Sequence, residues 1–219
     1  MYQLIYKDIK LLINYFVIAI PVSILFVITF TQVFPFGYAM GALGIAGMLA
    51  LTAPSMEVKN HTEIVLNSLP ILRSEIIIAK YLSAFTYTVI GLSLMTLAGL
   101  LVKVSPLPFH IPYMNWQNVV ITFINISLLI SIYYPLFYRF YNGFVITIVN
   151  MVLFYLILFM PSFITTYIKE HINETLVQQL LQLNLYTPWA LPLLGIIITL
   201  MLLILSYLLT VKIYTAKDF

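Results

Sequence analysis

Long apolar stretches separated by short polar segments make up most of the chain. A helix needs about 20 mostly apolar residues to cross the hydrocarbon core of a bilayer, and several stretches reach that length. They are Leu11–Val33, Phe36–Met56, Ile76–Val102, Gln117–Phe137, Gly143–Thr166 and Trp189–Val211. The pattern predicts an all-α membrane protein with six transmembrane helices in one domain covering residues 1–219.

The second predicted span is rich in small residues. Gly37, Gly41, Gly44 and Gly47 alternate with alanines at spacings of three and four residues. Because small side chains let helices approach closely, this span is predicted to be buried in a tight bundle. Lys80 is the one charged residue inside the predicted spans, and we expect its side chain to extend to the membrane interface.

The distribution of basic residues predicts the orientation. With the N-terminus in the cytoplasm, the outer side holds only Lys103 and Lys169, and the inner side holds the remaining lysines and arginines. Cytoplasmic loops are enriched in Lys and Arg, so both termini are predicted to lie in the cytoplasm. The inner residues are Lys7, Lys10, Lys59, Arg73, Lys80, Arg139, Lys212 and Lys217.

Two segments outside the spans are amphipathic. Residues 1–13 have apolar residues at helical spacing, which fits an interfacial helix or an early start of the first span, and both interpretations remain open. Residues 167–185 repeat apolar positions every four residues beside charged and amide side chains. They predict an outer amphipathic helix before the last span.

The loop 57–75, EVKNHTEIVLNSLPILRSE, is the only long cytoplasmic segment. Asn60 followed by Glu63 has the spacing of a capping box, which predicts a short helix from about residue 61 to residue 68. Pro70 disfavours its continuation. A simple connector needs only a few residues, so this loop is expected to have a partner.

Composition excludes most catalytic chemistry. The chain is 63% hydrophobic and 8% charged, against about 25% charged residues in soluble domains, and it has no cysteine. The three histidines are spread over three loops without HExxH spacing, and neither a GxSxG nor a GxxxxGK[ST] motif occurs. We therefore predict no enzyme, no metal site and no cofactor bound by this chain. Asn125 and Asn150 are polar residues within the spans that line a path or, more commonly, form interhelical hydrogen bonds.

The loop and the layout together resemble the permease subunits of bacterial type-two ABC exporters. The residues that carry the resemblance are Glu57, Asn60-His-Thr-Glu63, Leu69-Pro70-Ile-Leu-Arg73 and Lys80-Tyr81. They are similar to a stretch in the bacitracin and phenol-soluble-modulin exporter permeases. The His61-Thr62 pair does not contribute to this resemblance.

The resemblance implies that the short helix is a coupling helix that sits in a cleft of a separate ATP-binding subunit, which holds ATP and Mg. It also implies a second permease, either a copy of this chain or a sister subunit, and a hydrophobic or amphipathic substrate such as a peptide toxin, antimicrobial peptide or antibiotic. The location implied is the bacterial plasma membrane, and nucleic acid is not an expected partner. The residues implied to contact the ATPase are Glu57, Lys59, Asn60, His61, Thr62, Glu63, Leu66, Leu69 and Arg73.

A second class of function remains as the alternative. A six-span substrate-capture subunit of a vitamin importer has a similar size and also recruits ATPases. It would need a binding pocket near the outer face and a different cytoplasmic contact surface, and the Leu69–Arg73 stretch gives it no support. A membrane-embedded enzyme is disfavoured by the missing catalytic residues.

Overall fold

The computed structural model describes residues 2–34, 36–60, 62, 66, 70–106, 111–140, 145, 147–153, 155, 156 and 190–216. Helices account for most of this part of the chain. Their bounds are α1 Tyr2–Leu11, α2 Ile13–Val33, α3 Gly37–Lys59, α4 Arg73–Val104, α5 Trp116–Arg139 and α6 Ala190–Thr215. The prediction of an all-α fold is confirmed for the described residues.

Five of these helices, α2 to α6, are long and apolar enough to cross a membrane. They match five of the six predicted spans. The remaining predicted span, Gly143–Thr166, lies largely outside the described residues, and those described within it at 147–153 are helical. The predicted outer helix, residues 167–185, also lies outside the described residues.

The breaks between helices occur where the sequence restricts the backbone. Phe34 is extended, with φ −121° and ψ 138°, because a residue that precedes proline is sterically excluded from the helical region. Ser105, which precedes Pro106, is extended for the same reason and ends α4. Helix α2 therefore ends at Val33, and α3 begins shortly afterwards at Gly37.

Helix α3 lies at the centre of the bundle and packs against α2, α4 and α5. In its most apolar stretch 72% of the residues are buried, against 17% in the corresponding stretches of α2 and α6. Close contacts explain this position: a Cβ atom on Gly91 of α4 would lie 2.9 Å from the carbonyl oxygen of Ala42. The prediction that the small-residue span is buried is confirmed.

Helix α1 is separate from α2, which it leaves at Leu12, and contacts α2, α3 and α4. The sequence left open whether residues 1–13 form their own helix or extend the first span. The structure gives α1 its own ten-residue helix. Leu4, Asp8 and Leu12 are buried at four-residue intervals along one face, while Tyr2 and Tyr6 are exposed on another.

Candidate functional site

Four charged side chains form a compact cluster where α1, α3 and α4 meet. Lys80 Nζ lies 2.8 Å from Asp8 Oδ1 and 2.6 Å from Glu57 Oε1. Lys7 also pairs with Glu57, and its Nζ lies 3.3 Å from Asp8 Oδ1. Ser83 donates a hydrogen bond of 2.9 Å to Asp8 Oδ2. We call Lys7, Asp8, Glu57 and Lys80 the ion cluster.

The ion cluster is shielded from solvent except at one member. The side chains of Asp8, Lys80 and Glu57 are 1%, 4% and 7% exposed, whereas that of Lys7 is 31% exposed. Two positive and two negative charges are present, so the cluster is formally neutral. Charges removed from water need this kind of mutual compensation, because an unpaired buried charge is strongly destabilising.

The expectation that Lys80 extends to the interface is therefore wrong. Lys80 is 3% exposed and is held by carboxylates from two other helices. Helix α4 begins at Arg73, so Lys80 lies seven residues, or about 10 Å, from the start of this helix. At this depth neighbouring helices already enclose its side chain, and ion pairing replaces hydration.

The pKa of Asp8 reflects this environment. Burial alone would raise the pKa of the Asp8 carboxyl, but the charges of Lys80 and Lys7 and the hydrogen bonds from Lys80 and Ser83 outweigh it. The net result is a pKa below the ordinary value. Asp8 is thus held in its charged form beside two lysines.

Hydroxyl groups extend this polar region towards α6. The Tyr81 hydroxyl forms hydrogen bonds of 2.6 Å with Ser206 and 3.1 Å with Thr210. On the other side of α4, Tyr134 donates a 3.2 Å hydrogen bond to the carbonyl oxygen of Lys80. The helical segment that presents Lys80 is therefore fixed by α5 and α6 as well as by charge.

The loop 57–75 starts and ends on this part of the molecule. Glu57 lies two residues before α3 ends at Lys59, and Asn60 follows as the C-cap, donating its backbone N–H to Met56 O at 2.9 Å. Thr62 donates to the carbonyl oxygen of Glu57 at 3.3 Å. At the other end of the loop, Arg73 Nη1 donates to the carbonyl oxygen of Thr215 at 3.0 Å.

The predicted contact residues therefore differ in exposure. Lys59 and Asn60 are exposed and Thr62 is half-buried, whereas Leu66 is buried at 5% exposure. Thr62 and Leu66 are helical, as the predicted short helix requires, but His61, Glu63 and Leu69 lie outside the described residues. The predicted capping box needs Asn60 as the N-cap of the short helix, with Glu63 as its partner. In the structure Asn60 is the C-cap of α3, and Glu63 lies outside the described residues.

The two asparagines that the sequence singled out have different partners. Asn150 Nδ2 lies 3.4 Å from Ser55 Oγ of α3 and donates to it, which is an interhelical hydrogen bond. Asn125 Nδ2 donates to Ile121 O of its own helix at 2.9 Å. A role of either residue in lining a path stays a prediction.

Sequence reasoning missed Asp8 as a site residue. Its position in the pattern gives one signal, because Leu4, Asp8 and Leu12 share a helical face that is otherwise apolar. A carboxylate on an apolar face needs a cation, and Lys80 was the single charge within the spans. The two isolated charges could have been paired on that ground.

Comparison with known proteins identifies the family. The family model described as ABC-2 family transporter protein matches residues 3–215, which is nearly the whole chain. No curated protein and no solved structure is significantly similar to the chain. The family match implies a membrane transport subunit that works with a separate ATP-binding subunit. The chain belongs to the ABC-2 family of membrane transporter proteins.

Proposed function

We propose that this chain is the permease subunit of an ATP-driven exporter of the plasma membrane, with both termini in the cytoplasm. The loop 57–75 receives the ATP-binding subunit, and ATP binding there re-tilts the spans. Six spans form half of a translocation path, so a second permease, identical or related, completes it. The specific likeness to bacitracin and phenol-soluble-modulin exporter permeases belongs to this proposal.

The observation that carries the proposal is the anchoring of the loop at both ends. Its first residue, Glu57, is held in the ion cluster, and Arg73 near its last residue is hydrogen-bonded to the end of α6. A loop fixed to both α3 and α6 transmits force applied to it to both helices. An untethered loop would absorb the same force by changing its own conformation.

The contact with the ATPase is proposed for the part of the loop beyond the ion cluster. Lys59, Asn60 and Thr62 offer exposed or half-buried polar groups. We propose His61, Glu63 and Leu69 as further contacts from their sequence positions. Glu57 and Arg73 bind to other parts of the chain, and Leu66 is buried. These three residues are therefore proposed to hold the loop in position.

An apolar cavity supports a hydrophobic or amphipathic substrate. It has a volume of about 300 Å³ and lies between α4, α5 and α6. Among its described lining residues, only Ser127 and Thr199 carry hydroxyl groups; the others include Phe85, Phe123 and Leu203. Such a lining favours the apolar face of a peptide or antibiotic over a strongly charged solute.

Co-purification tests the loop assignment. The chain is expressed together with its genomic neighbours, and we expect an ATP-binding subunit to purify with it. Glu63→Arg and Leu66→Asp should abolish this association, whereas Glu170→Arg, predicted to lie on the outer side, should leave it intact. Because Leu66 is buried, the melting temperature of each variant in detergent shows whether it is folded. Association that survives in folded Glu63→Arg would contradict the contact assignment, whereas Leu66→Asp tests whether the loop must be held in place.

Substrate-stimulated ATP hydrolysis tests the cavity. Thr199→Trp fills it, and we expect stimulation by an amphipathic peptide to fall at least several-fold while the ATPase remains bound. Ile198→Trp is the matched control, because Ile198 is 55% exposed on the same helix. Equal stimulation in both variants would exclude the cavity as a substrate site.

The importer alternative predicts a different result. A substrate-capture subunit binds its vitamin tightly without the ATPase, whereas an exporter permease shows no such binding. Equilibrium binding of a vitamin panel to the purified chain separates the two functions. Tight binding of a single vitamin would overturn the exporter proposal.

A further inference from the structure

The ion cluster consists of two pairs that are each neutral without the other. Helix α1 supplies Lys7 and Asp8, which lie 3.3 Å apart. The rest of the bundle supplies Glu57 and Lys80, which lie 2.6 Å apart. Separating α1 from the bundle therefore leaves a matched pair on each side, and no net charge is stranded in either place.

Charge compensation of this kind removes the usual obstacle to opening a buried ionic contact. Breaking a buried pair is costly mainly because one partner is left uncompensated. In this cluster the contacts across the α1 interface are lost, but every ion keeps a counter-ion. Water reaches the opening through Lys7, the most exposed member.

The remaining contacts of α1 are few. Leu4 is buried at 9% exposure, Ile9 packs partly buried against the core, and Leu12, which follows the helix, is fully buried. Ser83 adds a hydrogen bond to Asp8. The opposite face, with Tyr2 and Tyr6, is 80% and 58% exposed at these residues. A ten-residue helix held by these few apolar residues and an ion cluster is small enough to detach as a unit.

Docking of α1 also determines how many ion partners Glu57 has. Its carboxylate contacts Lys7 from α1 and Lys80 from α4, and Glu57 lies within the last turn of α3 before the loop begins. With α1 docked, the start of the loop is tied to two helices. With α1 released, Lys80 is its one remaining ion partner within the cluster.

We propose that α1 is a reversible latch, and that Lys7 and Asp8 are positioning residues that hold the start of the loop through Glu57 and Lys80. The latch is closed in the described structure and opens when the loop moves in the transport cycle. The cycle itself rests on the function proposed above. Closure of the latch by the ion cluster needs no ATP-binding subunit and can be tested on the purified chain.

The first test uses the purified chain without an ATPase. Because the chain contains no cysteine, a single Leu4→Cys reports the buried face of α1 through its rate of labelling with a water-soluble maleimide. We expect Asp8→Asn to raise this rate about tenfold or more. The substitution leaves Lys80 and Lys7 with a single carboxylate as counter-ion, which weakens the docking of α1. Lys10→Gln removes a charge from an exposed position of the same helix and should leave the rate unchanged. Tyr6→Cys, on the exposed face, should react fast in every background.

Variants that restore the charge balance show whether Asp8 positions the loop or whether its substitution merely destabilises the fold. Asp8→Glu keeps the charge, so it should restore slow labelling of Leu4→Cys and a normal melting temperature. The double variant Asp8→Asn with Lys80→Met removes one charge of each sign and leaves Lys7 paired with Glu57. It should be more stable than either single variant. Additive losses, or equal labelling of Leu4→Cys in the wild-type and Asp8→Asn backgrounds, would overturn the latch.

The second test uses the complex with the ATP-binding subunit. Labelling of Leu4→Cys should accelerate when the complex is trapped with a non-hydrolysable ATP analogue, and in the Asp8→Asn background it should be fast in both states. Unchanged labelling on trapping would show that α1 stays docked throughout and would overturn its role in the cycle. If no ATPase associates, the proposed function fails, and the purified-chain comparison still decides whether the ion cluster closes α1.

Discussion

Lys80 shows how a single buried charge organises its surroundings. Its ammonium group is within hydrogen-bonding distance of two carboxylates, and one of these also accepts from Ser83. Asp8 is separated from Lys80 by 72 residues in the sequence. No local pattern connects residues so far apart, so the sequence identified Lys80 as unusual, and only the isolation of both charges on apolar surfaces could have indicated that Asp8 pairs with it.

The lowered pKa of Asp8 predicts a pH dependence of stability. A carboxyl whose pKa is lower in the folded state stabilises the fold above its ordinary pKa, and the contribution is lost as pH falls through the folded-state value. Asp8→Asn should therefore lower the melting temperature at pH 7, with a loss of about 3 kcal/mol in the free energy of unfolding.

The difference between wild type and Asp8→Asn should shrink below about pH 4, because a protonated Asp8 resembles asparagine. Taking the difference cancels the titration of groups outside the ion cluster, which are common to both proteins. Melting curves in detergent from pH 7 to pH 3 measure it. A difference that stays constant over this range would show that Asp8 is not held in its charged form by Lys7 and Lys80.

At the scale of helices, backbone approach between α3 and α4 fixes the centre of the bundle. A Cβ atom on Gly91 would meet the carbonyl oxygen of Ala42, and backbone atoms cannot move aside without separating the two helices. Gly195 of α6 is different, since a Cβ there would lie 3.0 Å from Ile124 Cδ1, the far end of a flexible side chain.

These two glycines give a matched pair of substitutions. Gly91→Ala should destabilise the protein by about 1–3 kcal/mol, because it overpacks a rigid contact. Gly195→Ala changes helix propensity by the same amount and should be neutral or slightly stabilising. Melting temperatures of the two variants in the same detergent provide the measurement. Equal behaviour would show that the α3–α4 contact is less close than the structure indicates.

The helices themselves were predictable because composition and length determine them. The bounds of α2, α3, α5 and α6 at the membrane agree with the predicted spans to within a few residues, and Pro35 and Pro106 set two of the breaks. Helix α4 begins at Arg73, three residues before the predicted span Ile76–Val102, and Leu72 is its N-cap. Which helix faces cover one another depends on contacts such as Tyr81 with Ser206, which sequence periodicity does not specify.

At the scale of the whole molecule, helix ends gather at two opposite faces. The end of α3, the start of α4 and the end of α6 meet at the face that carries Glu57, Lys80 and Arg73. At the other face the start of α3 contacts residues 112–113, where Tyr38 donates to Pro112 O and Lys103 lies over the Tyr113 ring. The first face holds most of the basic residues, as the proposed cytoplasmic orientation requires.

Single cysteines test this orientation in the cysteine-free chain. Lys59→Cys should react with a membrane-impermeant maleimide only after the cells are permeabilised, whereas Val104→Cys, at a position 87% exposed in the structure, should react in intact cells. Reversal of this pattern would place the loop 57–75 outside and would remove the basis for an ATPase contact.

The internal pairing of Lys7 with Asp8 also has a consequence for biosynthesis. Asp8 is synthesised before Lys80, so for an interval it is without its final ion partner. Lys7, one residue away, can compensate its charge during that interval. Helix α1 can therefore remain at the membrane surface as a neutral segment, and it docks once α3 and α4 have been inserted. The docked position of α1 therefore requires that α3 and α4, which carry Glu57 and Lys80, are already in place.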